Sequence, residues 1–244
     1  MDRGSLIDTI GFTIKDPYSA DTITLAIDTP HGLHREALYL KEMGSPTPKL
    51  EVYGNIPCVL IRSETSTERA AIIFLHIEKP SELVDIPWVR KAAGAGTKIV
   101  GVDIDPNETH ANATARILRV VSYLCLRRDI IDPDRIFLCG NGIYGMWALV
   151  AGIIDERVAG VILVDPMFEL GLSNGQHLIT AQLGGLLSPR PLAILGIQNP
   201  ETVFVDTMES YQGKGQEFCL RLEERSSDDL LDEVSQWMLR KEEG

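Results

Sequence analysis

The stretch that most constrains this chain is Arg135–Gly152, RIFLCGNGIYGMWALVAG. Ile136 to Cys139 is a short, continuous apolar run, the pattern of a strand covered on both faces. Gly140, Asn141, Gly142, Ile143, Tyr144 and Gly145 follow as a sharp, glycine-rich turn. Met146 to Ile153 is then apolar almost all round, which predicts a buried helix. A buried strand feeding a buried helix through a tight turn belongs in a sheet with helices packed over it.

The flanking sequence has the same grammar. Ala70–Leu75, Lys98–Val102, Val158–Val164 and Leu192–Leu195 read as further buried strands, Ile56–Ile61 as one strand of a hairpin and Glu217–Leu222 as a final strand. Leu50–Tyr53 is expected to pair with Ile56–Ile61 around Gly54-Asn55. Helices are expected from Ser81 to about Ala93, from Glu108 to Arg128, from Glu201 to Tyr211 and from Ser227 to Lys241. His31–Met43 has Leu33, Ala37, Leu38 and Leu40 at helical spacing and also predicts a helix, stopped by Gly44. Thr22–Ile27 reads as a β-like run in an edge hairpin or arm. Strands and helices alternate from residue 56 onward, which predicts an α/β fold with a mostly parallel central sheet. Residues 1–48 are expected to form an N-terminal arm and helix packed on a core made by residues 49–244.

With 244 residues and 44% hydrophobic side chains, the chain can bury a sizeable core. A net charge of -12 repels phosphate backbones and argues against a nucleic-acid partner. No apolar run reaches membrane-span length, and the first residues lack the basic and apolar regions of a signal peptide. Cys58, Cys125, Cys139 and Cys219 are scattered through mostly apolar segments, the usage of reduced, buried thiols in a cytoplasmic protein. No metal or cofactor is expected: the histidines have no ligand spacing. Lys98–Pro106 could present an acid to a ribose, but the preceding strand, Ala70 to Pro80, contains no glycine to cradle a phosphate.

The layout of Arg135–Gly152 resembles the nucleophile elbow of α/β-hydrolases, G-x-S-x-G on a strand-to-helix turn. Laid on that pattern, Gly140 is the first glycine, Gly142 stands at the serine and Tyr144 at the second glycine. Ile131-Asp132-Pro133-Asp134-Arg135-Ile136, Trp147-Ala148-Leu149 and Leu187-Ser188-Pro189-Arg190-Pro191-Leu192 resemble phrases of the acetyl-esterase and dienelactone-hydrolase-like branch. The resemblance covers roughly residues 50 to 240 and implies an α/β-hydrolase-like three-layer sandwich. It also implies a serine, an acid and a histidine acting together. Here Gly142 replaces the serine, Asn199 stands where the acid is expected, and Cys219 to Gln236 contains no histidine. On this alignment the serine-hydrolase reaction is excluded.

Several residues remain as candidates. His76 and Asp165 end strands at the crevice edge, where each could act as a base; the competing readings are a loop-bonded histidine and a turn cap before Pro166. Tyr144 could donate a proton or simply fill the space left by serine and glycine. Backbone N–H groups at Ile77 and Ile143, with Asn141 and Gly142, could hold an oxyanion or carboxylate. Cys139 belongs to a buried strand, and His110 is expected to face solvent on the first turn of its helix. These residues fit base-catalysed elimination of a carboxylate such as acetate from an O-acylated small molecule. That reaction resembles the acetate-eliminating lyases of tetronate (polyketide) natural-product pathways. A binding or scaffold protein without chemistry is one alternative, and an esterase with a relocated nucleophile is another. The expected partner is the acylated small molecule, with no membrane and with a second copy of the chain as a further candidate.

Overall fold

The computed structural model describes residues 2–10, 22–28, 33–41, 55–63, 67–75, 83, 85–171 and 177–240. In chain order these form α1 (Arg3–Ile10), β1 (Thr22–Asp28), β2 (Leu33–Lys41), β3 (Asn55–Ser63), β4 (Ala71–Leu75), α2 (Pro87–Gly94), β5 (Lys98–Val102) and α3 (His110–Leu126). Then come β6 (Ile136–Asn141), α4 (Ile143–Ile154), β7 (Val158–Val164), β8 (Glu169–Gly171), β9 (His177–Ile179), α5 (Thr180–Leu187) and β10 (Leu192–Leu195). The chain closes with α6 (Pro200–Val203), α7 (Val205–Gln212), β11 (Leu220–Glu223) and α8 (Asp228–Leu239).

Strand periodicity decides the layering. Successive side chains leave a strand on opposite faces, so a continuous apolar run feeds two cores at once. Ala71, Ile73 and Leu75 of β4 join one core, with Leu138 of β6 and Ile194 of β10. Ile72 and Phe74 join the other, with Phe137, Cys139 and Leu195. The first core is covered by α1, α3, α4 and α5, through Leu6, Ile117, Trp147 and Leu183. The second is covered by α2 and α8, through Trp88, Val89, Val234 and Met238. The result is a three-layer α/β sandwich, as the sequence predicts.

The nine-stranded sheet runs β1-β2-β3-β5-β4-β6-β7-β10-β11. The pairs from β1 to β5 are antiparallel, and those from β5 through β4, β6, β7 and β10 to β11 are parallel. The crossing of β4 and β5 sets β6 between β4 and β7, with β10 next beyond β7. Ligand crevices of such sheets open at the carboxyl ends of the strands.

Several local expectations are corrected. His31–Met43 is not a helix: residues 33–41 are the strand β2, held by β1 on one side and β3 on the other. Leu33 and Ala37 are of one parity and Leu38 and Leu40 of the other, so they break a two-residue period, and pairing on both edges decides for the strand. Ile56–Ile61 lies in β3 and pairs with β2 and β5, while Leu50–Tyr53 lies outside the described residues. The elbow helix begins at Ile143, earlier than Met146, and β6 extends to Asn141, so the turn contracts to Gly142. Glu201–Tyr211 is two short helices broken at Phe204, whose fully buried ring draws the chain inward between them. Glu217–Cys219 is a 3-10 turn ahead of β11. The helix α1, the β8–β9 hairpin and α5 have no counterpart in the sequence reading. Among the described residues, no helix is long and apolar enough to cross a membrane. All four cysteines are free thiols.

Candidate functional site

The elbow is built by close approach of backbones. A Cβ on Gly140 would lie 2.4 Å from the carbonyl oxygen of Tyr144, and one on Gly145 would lie 2.9 Å from that of Gly140. Only hydrogen fits at either place, so the first turn of α4 presses directly on the end of β6. Between them Gly142 adopts φ 57°, ψ −124°, a backbone region that L side chains enter only at a cost. Its N–H donates to Val164 O at 3.0 Å, and its carbonyl accepts from Met167 N at 3.3 Å. Among the described residues, a Cβ on Gly142 would meet nothing within 4 Å. The turn between β6 and α4 therefore places residue 142 at a positive φ, and the side chain there is a hydrogen.

Tyr144, expected as a donor or a filler, is half-buried and packs edge-on against Trp147, with ring centroids 5.4 Å apart at 87°. Ile143 is likewise half-buried against the core. Asn141 ends β6 opposite Val164. His76 and Ile77 lie outside the described residues, as do Glu78 and Lys79.

Asp165 sits one residue beyond β7, exposed, at a positive φ of 41°. Its N–H donates to Leu195 O at 2.9 Å, and its Oδ2 accepts from Ser226 Oγ at 2.9 Å. The carboxylate occupies space that only a glycine leaves open: a Cβ on Gly196, itself at φ 83°, would lie 1.8 Å from Asp165 Oδ1. Gly196 N–H in turn donates to Glu223 O. The ends of β7, β10 and β11 thus converge on one carboxylate. It is more than a turn cap before Pro166, because its partner comes from the loop after β11. That loop is where the hydrolase resemblance expects a histidine. Asn199, at the position expected for the acid, is left-handed (φ 50°) and donates its N–H to Glu224 Oε1 at 3.3 Å.

Ser226 and Gly196 were not anticipated as partners of Asp165. The contact spans |i−j| = 61, and no local pattern announces it. Asp103, just past β5, is a second acid at this sheet edge. Burial pushes its carboxyl above the usual range, Arg116 opposes that shift, and Asp105 adds to it.

Other residues are settled by their surroundings. Cys139 is fully buried, and burial alone pushes its thiol far up, which removes it as a nucleophile. His110 does not simply face solvent: its Nδ1 accepts from Trp147 Nε1 at 3.0 Å, and its Nε2 lies 3.2 Å from Gly171 O. His177 pairs with Glu169 across the β8–β9 hairpin at 2.6 Å.

The sheet order and the β6–Gly142–α4 turn define an α/β-hydrolase-type fold. No family model matches the sequence, and no curated protein matches it significantly. Solved structures share the architecture at low identity. A glucuronoyl esterase from Solibacter usitatus superposes with a TM-score of 0.69 at 12% identity, over 97% of this chain and 91% of its own. A glucuronoyl esterase from Teredinibacter turnerae gives 0.66 at 13% identity, over 97% and 83%. An acetyl xylan esterase from Paenibacillus sp. R4 gives 0.62 at 10%, over 97% and 92%. The likeness is one of fold.

Proposed function

We propose that this chain is a hydrolase-fold binding protein whose crevice receives an ester-bearing small molecule, of the acylated-carbohydrate class, without forming an acyl-enzyme at the elbow. The observation that supports this reading is Gly142: it stands at a positive φ at the head of α4 with no side chain to attack, and among the described residues nothing lies within 4 Å of where a Cβ would stand. The ligand class is drawn from the glucuronoyl and acetyl xylan esterases that share the fold. In this reading the N–H of Ile143, at the start of α4, with Asn141 and Gly142 beside it, holds the acyl oxygen, and Asp165 accepts from a sugar hydroxyl.

Ester hydrolysis by a relocated nucleophile is a second reading, favoured by the Ser226–Asp165 contact. Ser226 is an exposed hydroxyl already donating to a carboxylate at the crevice edge. Its weakness is chemical: a carboxylate is a poor base for a serine hydroxyl, far from the matched pKa that efficient proton transfer requires. Elimination of acetate, with His76 or Asp165 as base and Tyr144, Ile77 and Ile143 as donors, rests on the sequence alone. It has no counterpart among the similar structures named above.

The test uses acetylated and deacetylated xylobiose with the full chain. Binding of the acetylated sugar in preference to the other, with no acetate released and no serine adduct from a fluorophosphonate probe, supports the proposal. Acetate release with an adduct on Ser226 replaces it with the second reading. Failure to bind either sugar overturns it.

A further inference from the structure

Trp147 is fully buried, and its indole N–H can only donate. The acceptor it finds is His110 Nδ1, at 3.0 Å. A ring nitrogen that accepts carries no proton, so the neutral imidazole holds its proton on Nε2, which faces Gly171 O at 3.2 Å as a donor. One neutral ring at the head of α3 therefore joins the elbow helix α4 to β8. The hairpin is fixed at its other end by backbone: Met167 N donates to Gly142 O, Thr180 N donates to Phe168 O at 2.9 Å, and Thr180 Oγ1 donates to Met167 O. Met167, Phe168 and Ile179, three of the exposed large apolar side chains, ride on this segment beside the elbow.

We propose that His110 is a proton-operated coupling between the elbow helix and the β8–β9 hairpin, joining them through Trp147 while neutral and releasing Trp147 when protonated. Protonation places a second N–H against the indole N–H, donor against donor. The ring keeps Gly171 only by turning from Trp147, which leaves a buried indole N–H without its acceptor. Tyr144 packs edge-on against that same indole, so the first turn of α4 is loosened with it. The inference concerns the coupling itself and does not depend on what the crevice binds.

The other titratable groups on the elements around His110 are identifiable. On α4 there is Tyr144. On the hairpin, Glu169 and His177 pair with each other. On the approach to α3, Glu108 pairs with Arg116 at 3.0 Å, and Asp105 accepts from Asn107. Asp103 lies just past the end of β5.

The experiment follows the Trp147 indole N–H by NMR exchange in the full chain, assigned with Trp147→Phe, between about pH 8 and about pH 5.5. In wild type its protection, corrected for intrinsic exchange, should fall about three- to tenfold in acid. In His110→Gln, whose amide can accept from Trp147 and donate to Gly171 without titrating, that response should vanish. His177→Gln should keep it. A wild-type response that is absent, or that survives in His110→Gln, overturns the proposal. A variant-free check is the ring tautomer itself: nitrogen shifts showing Nδ1–H at His110 near pH 8 overturn it as well.

Discussion

Gly140 and Gly142 are two residues apart and should respond unequally to the same added methyl. At Gly140 the new Cβ meets backbone at 2.4 Å, which neither β6 nor α4 can yield without separating. Gly140→Ala should cost about 3 kcal/mol, the upper end of overpacking penalties. Gly142→Ala should cost about 1 kcal/mol, from its backbone region alone. Urea midpoints of the two variants test the order, and equal losses would contradict the close approach. Gly196→Ala should displace the Asp165 carboxylate and break the Ser226 contact, visible as an altered Asp165 side-chain carboxyl resonance. An unchanged signal would mean that Gly196 is not the cradle. Of these residues, Gly140, Gly142 and Gly145 were legible in the sequence as a turn because glycine clustering is local. The Asp165–Ser226 contact was not, because it is made by strand order and not by neighbours in the chain.

At the scale of elements, the central strands were legible and the periphery was not. β4, β6, β7 and β10 are continuous apolar runs, and double coverage leaves little choice of structure. β2 is not legible in this way: Leu33, Ala37, Leu38 and Leu40 follow a helical spacing, and only pairing with β1 and β3 makes the segment a strand. The helix α1 is weakly amphipathic, and what fixes it is tertiary: Leu6 is fully buried in the α3–α4 core, while Arg3 donates to Glu156 Oε1 and Ile154 O. Leu6→Ala should therefore cost about 2–4 kcal/mol, measured by chemical denaturation. A loss under about 0.5 kcal/mol, usual for surface positions, would show that α1 is dispensable. At the amino ends of β4 and β6, Glu68 accepts from the N–H groups of Ala70 and Arg69 and pairs with Arg135, which also donates to Leu239 O of α8. Burial pushes the Glu68 carboxyl up, but these donors outweigh it and hold it below its usual 4.5. A carboxyl depressed on folding stabilises above its unfolded pKa, and that stability is lost as pH falls through the folded value. The stability gap between wild type and Glu68→Gln should accordingly be full at pH 7 and close below about pH 4.5. A gap independent of pH would assign it to packing instead.

For the whole molecule, the net charge of -12 is the dominant long-range term. Like charges spread over one globule repel and favour expansion, and salt screens them over about 10 Å at 0.1 M. Raising sodium chloride from about 0.01 M to about 0.3 M should lift the melting temperature by about 2–4 °C, equivalent to about 1 kcal/mol at this size. A fall would mean that ion pairs such as Arg221–Glu233 and Lys91–Asp232 outweigh the repulsion. The fold class was legible from strand and helix alternation, since burial on two faces is a global constraint written locally in each strand.

The shape around residue 142 is held by its neighbours and by its own backbone: Gly140 and Gly145 allow the close approach, the Gly142 N–H donates to Val164 O, and its carbonyl accepts from Met167 N. Whatever side chain a later mutation installs there will be displayed at the same spot, so new reactivity can be acquired at this position without redesigning the scaffold.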